Sequence, residues 1–298
     1  MEPKKKALIV GCGYTGIRLG KRLRKAGFHV LGTASGHKRI VELQHSGIEP
    51  LVGSLRSSRI LARIKMTRPT LVAYFVPPQN SSQNVLAEIL AAVPNPSLEA
   101  FLYASSSSVY GDCGGEWIDE TTPVIPSCDD DAKRYAAELE VVRAGHTFGM
   151  PTRICRVSVI YGPGRTLKEP LESGSYTLVE NNDPWMSRIH IEDLITGLIA
   201  AWQKGADGEV YNLVDQEPHR ASEFANMAAD LNRMPRPKYI KKAEAERRYN
   251  LQLLHHKLAN RRVRCKRLIE ELAVQLKYPS YTTGLPAAIA DDRKGRVE

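Results

Sequence analysis

The amino-acid sequence predicts an α/β fold, a doubly wound parallel sheet with a small carboxy-terminal lobe. Short continuous apolar runs, typical of strands covered on both faces, occur at residues 7–10, 71–76 and 100–105 and alternate with helix-like segments. The first run leads directly into a Gly-x-Gly-x-x-Gly turn, and a basic-faced helix follows at residues 17–25. A strand, a glycine turn and a helix in this order are typical of the first unit of such a sheet.

The turn is the hexapeptide Gly11-Cys12-Gly13-Tyr14-Thr15-Gly16. Gly11 is expected to close the tight turn, and Gly13, which has no Cβ, to let a pyrophosphate approach the backbone. Gly16 is expected to let the helix pack on the strand while its amino end faces the phosphates. We therefore predict that the hexapeptide contacts a dinucleotide, as in Rossmann-type proteins, although glycine turns also occur where only tight packing is needed. We interpret Cys12 as a small residue that fits the turn.

The end of the second predicted strand, at residues 28–33, is where a dinucleotide-binding sheet contacts the adenosine ribose. An acidic residue there favours NAD. This sequence instead has a hydroxyl followed by basic groups: Ser35, His37, Lys38 and Arg39. Because such groups can hold a 2′-phosphate, they predict NADP as the cofactor, with NAD possible. A solvated basic loop is the alternative interpretation.

Composition limits the function further. No apolar run among the 298 residues approaches the roughly 20 needed to cross a bilayer, so we expect no membrane partner. Residues 1–6 run straight into the first strand, which leaves no room for a signal peptide. The five cysteines stand singly, and His255-His256 has no companion ligands at metal spacing. We expect reduced thiols, a cytoplasmic location and no metal site.

Five motifs together resemble one known family. The strand at residues 100–105 runs into Ser106-Ser107-Ser108-Val109-Tyr110-Gly111. Further motifs are Arg-Val-Ser-Val-Ile-Tyr-Gly-Pro-Gly-Arg at 156–165, Arg-Ile-His-Ile-Glu-Asp at 188–193, Gly-Glu-Val-Tyr-Asn-Leu at 208–213 and a tail at 266–284. With the glycine turn, they resemble the extended short-chain dehydrogenase/reductase superfamily, in its NAD-dependent epimerase/dehydratase branch.

The resemblance implies a nicotinamide cofactor across the carboxyl ends of the strands and a small lobe that closes over the substrate. We expect the cofactor domain to span 1–165 and to include 188–215, and the substrate lobe to comprise 166–187 and 216–298. Further cofactor contacts implied by the resemblance are Val76, Pro77, Ser105 and Ser158.

The resemblance also implies a homodimer that pairs through two helices, here residues 81–92 and 129–144. The second helix carries an apolar stripe at helical spacing, composed of Ala132, Tyr135, Ala136, Leu139 and Val142. We expect this stripe to pack against the sheet or across the dimer interface.

The catalytic residues match the family only in part. The resemblance assigns the catalytic hydroxyl to Ser106. Counted back from Glu138, however, the positions of the usual Tyr-x-x-x-Lys hold Asp130 and Arg134. Tyr135 has no lysine four residues later, so we interpret it as a packing residue. The candidates for the catalytic base are Tyr135, Asp130, Tyr110 and Tyr161, and a chain without a base is the alternative.

Four residues are expected near the substrate, which we predict to be a small anionic molecule: Tyr161, Arg165, Trp185 and Arg188. A guanidinium can hold a phosphate with two hydrogen bonds, but a surface salt bridge is an equal alternative for each arginine. Trp185 either lines the pocket or anchors the lobe.

The positive charge is concentrated in residues 233–267, which hold 13 Lys and Arg against two acids, a net charge of +11 compared with +9 for the whole chain. A solvated helical face explains this segment best, followed by a rim that attracts an anionic substrate. Since no stacking aromatics interleave the charges and no recognised binding motif is present, we expect no nucleic acid partner.

Two functions remain. The first is an NAD(P)-binding, epimerase/dehydratase-like oxidoreductase acting on a carbonyl or hydroxyl group, such as that of a nucleotide sugar or another anionic metabolite. The second, favoured by the missing Tyr-x-x-x-Lys, is a catalytically impaired NADP(H)-binding sensor or scaffold.

Overall fold

The computed structural model describes residues 5–78, 84–93 and 96–294. The chain forms two compact units. The sheet unit comprises Met1–Ser105, Lys133–Arg156 and Leu198–Tyr211, and the second unit comprises Ser106–Ala132, Val157–Gly197 and Asn212–Glu298.

These bounds differ from the predicted domains, which assigned 1–165 and 188–215 to one domain. The chain leaves the sheet unit at or near the carboxyl ends of three strands, at residues 105, 156 and 211. The segments that follow those strands therefore belong to the second unit, although they lie early in the sequence.

The strands are β1 (Lys6–Val10), β2 (His29–Ala34), β3 (Glu49–Val52), β4 (Leu71–Tyr74), β5 (Ala100–Ser106), β6 (Trp117–Ile118), β7 (Thr152–Val157), β8 (Val159–Tyr161), β9 (Thr177–Val179), β10 (Trp185–Met186), β11 (Arg188–His190), β12 (Val210–Leu213), β13 (His219–Arg220), β14 (Lys238–Ile240) and β15 (Arg262–Val263).

The helices are α1 (Tyr14–Lys25), α2 (His37–His45), α3 (Ser58–Thr67), α4 (Val85–Ala92), α5 (Asp129–Phe148), α6 (Lys168–Glu172), α7 (Ile191–Lys204), α8 (Ala221–Asn232), α9 (Lys242–Arg248), α10 (Leu251–Leu258), α11 (Lys266–Glu270) and α12 (Tyr281–Lys294), with a 3₁₀ turn at Ser107–Tyr110. Residues 81–83 of the predicted helix at 81–92 lie outside the described residues.

The sheet confirms the predicted fold class. Its strand order is β12-β7-β5-β4-β1-β2-β3, and it is a parallel sheet with helices between successive strands. β1 pairs in register with β2 on one side and with β4 on the other, so the order reverses there. Ligands of open α/β sheets bind outside the carboxyl ends of the strands at such a reversal, and here these ends are Val10 and Tyr74.

The core of the sheet unit is built from the apolar runs found in the sequence. Leu8, Val72 and Phe101 are completely buried and pack in one cluster with side chains of α4 and α5. A strand in the middle of a parallel sheet is covered on both faces, which explains why residues 7–10 are all buried instead of alternating.

The helix α5 is oriented by a buried ion pair in the sheet unit. Arg156 donates from Nη2 to Glu138 Oε2 at 2.8 Å, and both side chains are more than nine-tenths buried. The Ser105 hydroxyl donates to Glu138 Oε1 at 2.5 Å. Glu138 therefore faces the interior of the unit together with Val141 and Ala144.

The predicted apolar stripe of α5 is not a buried face. Ala132, Ala136 and Leu139 are exposed, Leu139 by 47%, and Tyr135 is half-buried. Of the stripe, Val142 packs against the core. Of the two alternatives for the stripe, packing against the sheet is wrong, because the paired Glu138 turns a different face of the helix inward, and packing across a dimer interface stays a prediction.

The second unit contains short two-stranded sheets, β8 with β11, β9 with β14, β6 with β15 and β10 with β13. One of its clusters packs the buried rings of Tyr161 and Phe224 edge to face, with Leu285 beside them. Across the described ranges 5–78, 84–93 and 96–294, no helix is long and apolar enough to cross a membrane. Within the same ranges, no group of His, Cys, Asp and Glu side chains is arranged to hold a metal ion.

The ion pair of α5 gives a prediction about stability. Glu138→Ala should lower the free energy of unfolding by about 3 to 5 kcal/mol, because Arg156 is left buried and unpaired. The control is Asp230→Asn, which removes the partner of Arg236 in an exposed pair at 2.7 Å and should leave the urea midpoint unchanged. Urea unfolding measures both variants, and equal midpoints for the two would contradict this description of the core.

Candidate functional site

The glycine turn joins β1 to α1 in the sheet unit. Gly11 adopts a positive φ of 81°, and its N–H donates to Thr33 Oγ1 at 2.9 Å, which fixes the turn to the end of β2. The Gly13 N–H donates to the Gly11 carbonyl at 2.8 Å, and α1 begins at the next residue, Tyr14. The positive end of the α1 dipole thus lies at the carboxyl edge of the sheet.

The three glycines have different steric surroundings. A Cβ on Gly11 would lie 2.9 Å from Val76 Cγ2 and 3.1 Å from the Phe75 carbonyl carbon, and one on Gly16 would lie 2.9 Å from Ile9 Cγ2. A Cβ on Gly13 would meet nothing closer than the Gly11 oxygen at 4.0 Å. The fold therefore requires Gly11 and Gly16, whereas Gly13 leaves open space, as expected of a residue approached by a ligand.

A cavity of about 520 Å³ lies beside this turn within the sheet unit. Its lining consists of Gly11, Cys12, Gly13, Thr33, Ala34, Ser35, Arg39, Gly53, Ser54, Leu55, Arg56, Phe75, Val76, Pro77 and Val85. Seven of these are sequence-predicted cofactor residues: Gly11, Cys12, Gly13, Ser35, Arg39, Val76 and Pro77. Tyr14, Thr15, Gly16, His37 and Lys38 do not line it.

The segment Gly53-Ser54-Leu55-Arg56 is the part of this lining that sequence reasoning missed. It follows β3, which pairs in register with β2, so its position depends on the order of the strands. The lining contains the guanidinium-bearing residues Arg39 and Arg56 and no carboxylate. Arg39 also pairs with Glu42 at 2.5 Å on the exposed surface of α2.

Cys12 is 2% exposed, and its Sγ lies close to the positions that a Cβ on Gly16 or Gly32 would take, at 3.4 and 3.0 Å. Burial raises the pKa of the Cys12 thiol to about 12. The thiol therefore stays protonated and unreactive at neutral pH. This agrees with the interpretation of Cys12 as a small residue that fits the turn.

The predicted catalytic hydroxyl lies in the second unit. Ser106 is half-buried, and its Oγ accepts the N–H of Ser108 at 3.1 Å, which leaves its own proton uncommitted by that bond. Among its neighbours, Ser158 donates to Ser107 Oγ at 3.1 Å within the buried part of the unit. Ser105, by contrast, lies in the sheet unit, where it donates to Glu138.

Two of the candidate bases are held in hydrogen bonds. Tyr110 donates its hydroxyl proton to Asn212 Oδ1 at 3.0 Å. Tyr161 donates its hydroxyl proton to the Ser280 carbonyl at 3.4 Å, and burial raises the pKa of its phenol above the ordinary value. Neither phenol is placed as expected of a base, so Asp130, Tyr135 and a chain without a base are the alternatives that stay open.

A second cavity of the sheet unit, about 200 Å³, was not predicted. Tyr74 and Tyr103 line it together with Lys133 and Glu140 of α5. The two rings lie 5.9 Å apart, and burial raises the pKa of both phenols. The charge of Arg134, which stands at the lysine position of the family motif, acts against this rise at Tyr103.

Arg188 is buried in the second unit. Its guanidinium lies 3.8 Å from the centre of the Phe224 ring, and its Nε donates to His219 Nε2 at 3.1 Å. The His219 Nδ1 in turn faces the Arg220 carbonyl at 2.9 Å. Burial and the charge of Arg188 lower the pKa of His219 to about 3, so its imidazole is neutral and donates through Nδ1.

Asp215 lies near Arg188 without a direct salt bridge. Burial raises the pKa of this buried carboxyl well above its usual range, although the charge of Arg188 and the backbone N–H of Glu217 oppose the rise. The surface salt bridge considered for Arg188 is wrong, since the residue is 4% exposed. His219 and Asp215 carry no local sequence signal, because they meet Arg188 only through tertiary structure.

The two other predicted substrate residues are nearer the surface of the second unit. Arg165 is exposed, and its N–H donates to the Gly162 carbonyl at 2.8 Å. Trp185 is half-buried, and the Arg220 guanidinium lies 4.2 Å from the centre of its ring.

Comparison with known proteins identifies similar sequences and folds. The sequence model of the family described as "NAD dependent epimerase/dehydratase family" matches residues 7–213. The chain is 25% identical over 181 residues to an uncharacterized UDP-glucose epimerase of Bacillus subtilis; the match covers 58% of this chain and 57% of that protein. The chain thus spans just over half the length of this curated relative.

Two solved structures are similar over nearly the whole chain. A functionally unknown conserved protein from Silicibacter pomeroyi has 31% identity and a TM-score of 0.82, with 97% of this chain and 99% of that chain covered. UDP-glucuronic acid 4-epimerase from Bacillus cereus, in complex with NAD, has 18% identity and a TM-score of 0.78, with 98% and 100% covered, and at that identity shows the fold alone.

The steric difference between the glycines gives a matched pair of variants. Gly11→Ala should strongly destabilise the protein, because the backbone there has a positive φ that alanine adopts only with strain, and because the new Cβ collides with Val76 and the Phe75 backbone. Gly13→Ala should change the urea midpoint little, since its φ of −98° suits any residue and the space is open. Equal loss of stability in both variants would contradict the geometry of the turn.

Proposed function

Since this chain belongs to the NAD-dependent epimerase/dehydratase family, we propose that it is a cytoplasmic, NADP-dependent oxidoreductase or epimerase that acts on a carbonyl or hydroxyl group of an anionic metabolite, such as a nucleotide sugar. The observation that carries this proposal is the cavity beside the glycine turn. It lies at the reversal of the strand order, next to the amino end of α1 and the open space at Gly13.

The charge of this cavity favours NADP over NAD. Its lining has Ser35, Arg39 and Arg56 near the end of β2 and no carboxylate that would bind a ribose 2′-hydroxyl. A 2′-phosphate would gain charge-assisted hydrogen bonds from the two guanidinium groups. NAD remains the alternative, and the family description and the Bacillus cereus structure both name it.

Residues of the chain would bind the reacting oxygen and the anionic group of the substrate. When bound, the cofactor supplies or accepts a hydride. Ser106 accepts the N–H of Ser108, and that bond leaves the hydroxyl proton of Ser106 available. This hydroxyl would hydrogen-bond the substrate oxygen that gains or loses a proton. Arg188, whose Nε donates to the neutral imidazole of His219, would receive an anionic group of the substrate.

A second function follows from the substituted motif. Asp130 and Arg134 stand where the family has tyrosine and lysine, so the usual phenolate is missing. A protein that binds NADP(H) without turnover, as a sensor or scaffold, would retain the cofactor cavity and could dispense with the base. A single measurement, turnover of bound NADPH, distinguishes the two functions.

We also propose a homodimer. The exposed apolar side chains of α5, Ala132, Ala136 and Leu139, form a face that a second copy of the chain would cover. The family resemblance implies that this helix packs against helices of the second subunit.

The cofactor assignment predicts that NADPH binds at least tenfold more tightly than NADH, because one or two charge-assisted bonds contribute about 1.5 to 3 kcal/mol each. Arg39→Gln should reduce this preference severalfold. Lys38→Gln, one residue away and outside the cavity lining, should reduce it much less. Calorimetric titration with both cofactors tests this, and equal affinities in the unmodified protein would refute the NADP assignment.

The catalytic assignment predicts that Ser106→Ala lowers turnover by roughly tenfold to a thousandfold while NADPH affinity stays the same. Tyr135→Phe should change turnover by less than about threefold. NADPH oxidation with a panel of carbonyl and nucleotide-sugar substrates measures both. If Tyr135→Phe abolishes turnover, the tyrosine mechanism persists in a shifted position; if NADPH binds and no substrate is turned over, the sensor is the better account.

The dimer proposal predicts that the unmodified protein is a dimer by light scattering and that Leu139→Arg is a monomer, because the substitution places an unpaired charge in the contact. Met66→Arg is the matched control, since Met66 is 80% exposed on α3, outside the proposed interface. A monomeric unmodified protein would contradict the proposal.

A further inference from the structure

Five side chains of the second unit alternate between cation and aromatic ring. The guanidinium of Arg220 lies 4.2 Å from the Trp185 ring centre, and that of Arg262 lies 5.2 Å from the rings of both Trp185 and Trp117. Arg264 follows at 4.7 Å from Trp117. We call this series, Arg220, Trp185, Arg262, Trp117 and Arg264, the Arg–Trp ladder.

Two short sheets of the unit build the ladder. In one, Trp185 of β10 pairs with Arg220 of β13, and in the other, Trp117 of β6 pairs with Arg262 of β15. The backbone joins them, because the N–H of Arg261 donates to the Trp185 carbonyl at 3.2 Å. The ladder is therefore fixed by backbone pairing instead of by chance contacts of surface side chains.

This arrangement corrects two sequence-based interpretations of residues 233–267. The segment is not simply a solvated helical face, since Lys257 is partly buried between the rings of Tyr176 and Tyr249, at 4.3 and 5.0 Å. Aromatic rings do interleave its charges, but they come from remote parts of the chain, at Trp117 and Trp185. Of the two reasons for expecting no nucleic acid, the lack of aromatic rings among the charges therefore does not hold.

The guanidinium groups of the ladder form no salt bridge. Among the described residues, no carboxylate oxygen lies within salt-bridge distance of the guanidinium groups of Arg220, Arg262 or Arg264, although the Glu223 carboxylate accepts the backbone N–H of Arg220 at 2.8 Å. Arg220 Nη1 donates to the Asp183 carbonyl at 2.8 Å, and Arg262 Nε donates to the Gly115 carbonyl at 2.6 Å. Stacking occupies the flat face of a guanidinium and leaves its remaining in-plane N–H groups directed outward, where they suit oxyanions.

The end of the ladder is accessible. Trp117 is 40% exposed and Arg264 is exposed, whereas Trp185 and Arg262 are half-buried. Arg262 lies near two rings and Arg220 and Arg264 near one ring each, and these contacts restrict the side chains, so less conformational entropy is lost when they bind a ligand. Several fixed cations in a row, beside a segment with a net charge of +11, suit a chain of phosphates better than a single one.

We propose that the Arg–Trp ladder is a binding surface for single-stranded nucleic acid, an activity separate from the proposed oxidoreductase. Its arginines contact successive backbone phosphates, and the exposed part of Trp117 stacks with a base. A single strand is the form that suits this surface, because base stacking on a side chain requires bases that are not already paired and stacked in a duplex.

The test is fluorescence anisotropy of the full chain with a labelled 15-nucleotide RNA, measured across a range of salt concentrations. Arg264→Gln should weaken binding at low salt and reduce the slope of log affinity against log salt by about 0.7, the contribution of one phosphate contact on a single strand. Trp117→Ala should weaken binding about fivefold or more without changing that slope. Arg63→Gln, an exposed arginine of α3 outside the ladder, is the control for net charge and should change neither quantity.

Unchanged urea midpoints for Arg264→Gln and Arg63→Gln verify that both variants are folded. The proposal is overturned if the unmodified protein does not bind the RNA, if Arg63→Gln and Arg264→Gln have the same effect, or if a duplex of equal length binds as tightly. Complete displacement of the RNA by UDP at equimolar phosphate would also overturn it, because the surface would then take a free nucleotide. Equal displacement by inorganic polyphosphate would overturn it as well, because the surface would then attract anions in general and would not require bases.

Discussion

The close approach of the backbone after β1 to the backbone after β4 is the constraint on which the cavity beside the glycine turn depends. Gly11 meets Phe75 and Val76 at distances that leave no room for a Cβ, and its positive φ is a conformation that glycine adopts without strain. The turn therefore places Gly13 and the amino end of α1 at the carboxyl edge of the sheet. With a larger residue at position 11, the two strand ends would have to separate.

The buried pair of Glu138 and Arg156 imposes the second constraint. A charge pair in the interior must keep both partners, because either one alone would be buried without compensation. The pair turns one face of α5 inward and leaves Ala136 and Leu139 on the outside. The buried face of α5 therefore combines a charged contact with the apolar side chains of Val141 and Ala144, and its exposed face includes apolar residues beside Arg143.

Sequence patterns predict the features of this molecule that depend on local chemistry. The apolar runs and the glycine turn are found where the patterns indicate, because strand burial and turn geometry follow from neighbouring residues. Ser35 and Arg39 line the cavity beside the turn together with Val76 and Pro77, which the family resemblance implied. Helical spacing, by contrast, misassigned the stripe of α5, since spacing cannot show that a glutamate finds a buried arginine partner 18 residues later.

Contacts between residues that are distant in sequence were not predicted, because local patterns do not show which remote residues meet. Arg56 reaches the cavity through the order of the strands, His219 meets Arg188 across a tertiary contact, and the tryptophans of the Arg–Trp ladder stack with arginines that are distant in sequence. None of these partners is within reach of a local motif.

A crystal structure of the protein grown with NADPH would test the central claim most directly. The account predicts the pyrophosphate beside Gly13 at the amino end of α1 and the 2′-phosphate within hydrogen-bond distance of Arg39 or Arg56. A dinucleotide bound elsewhere, or one whose 2′-phosphate contacts neither arginine, would contradict it.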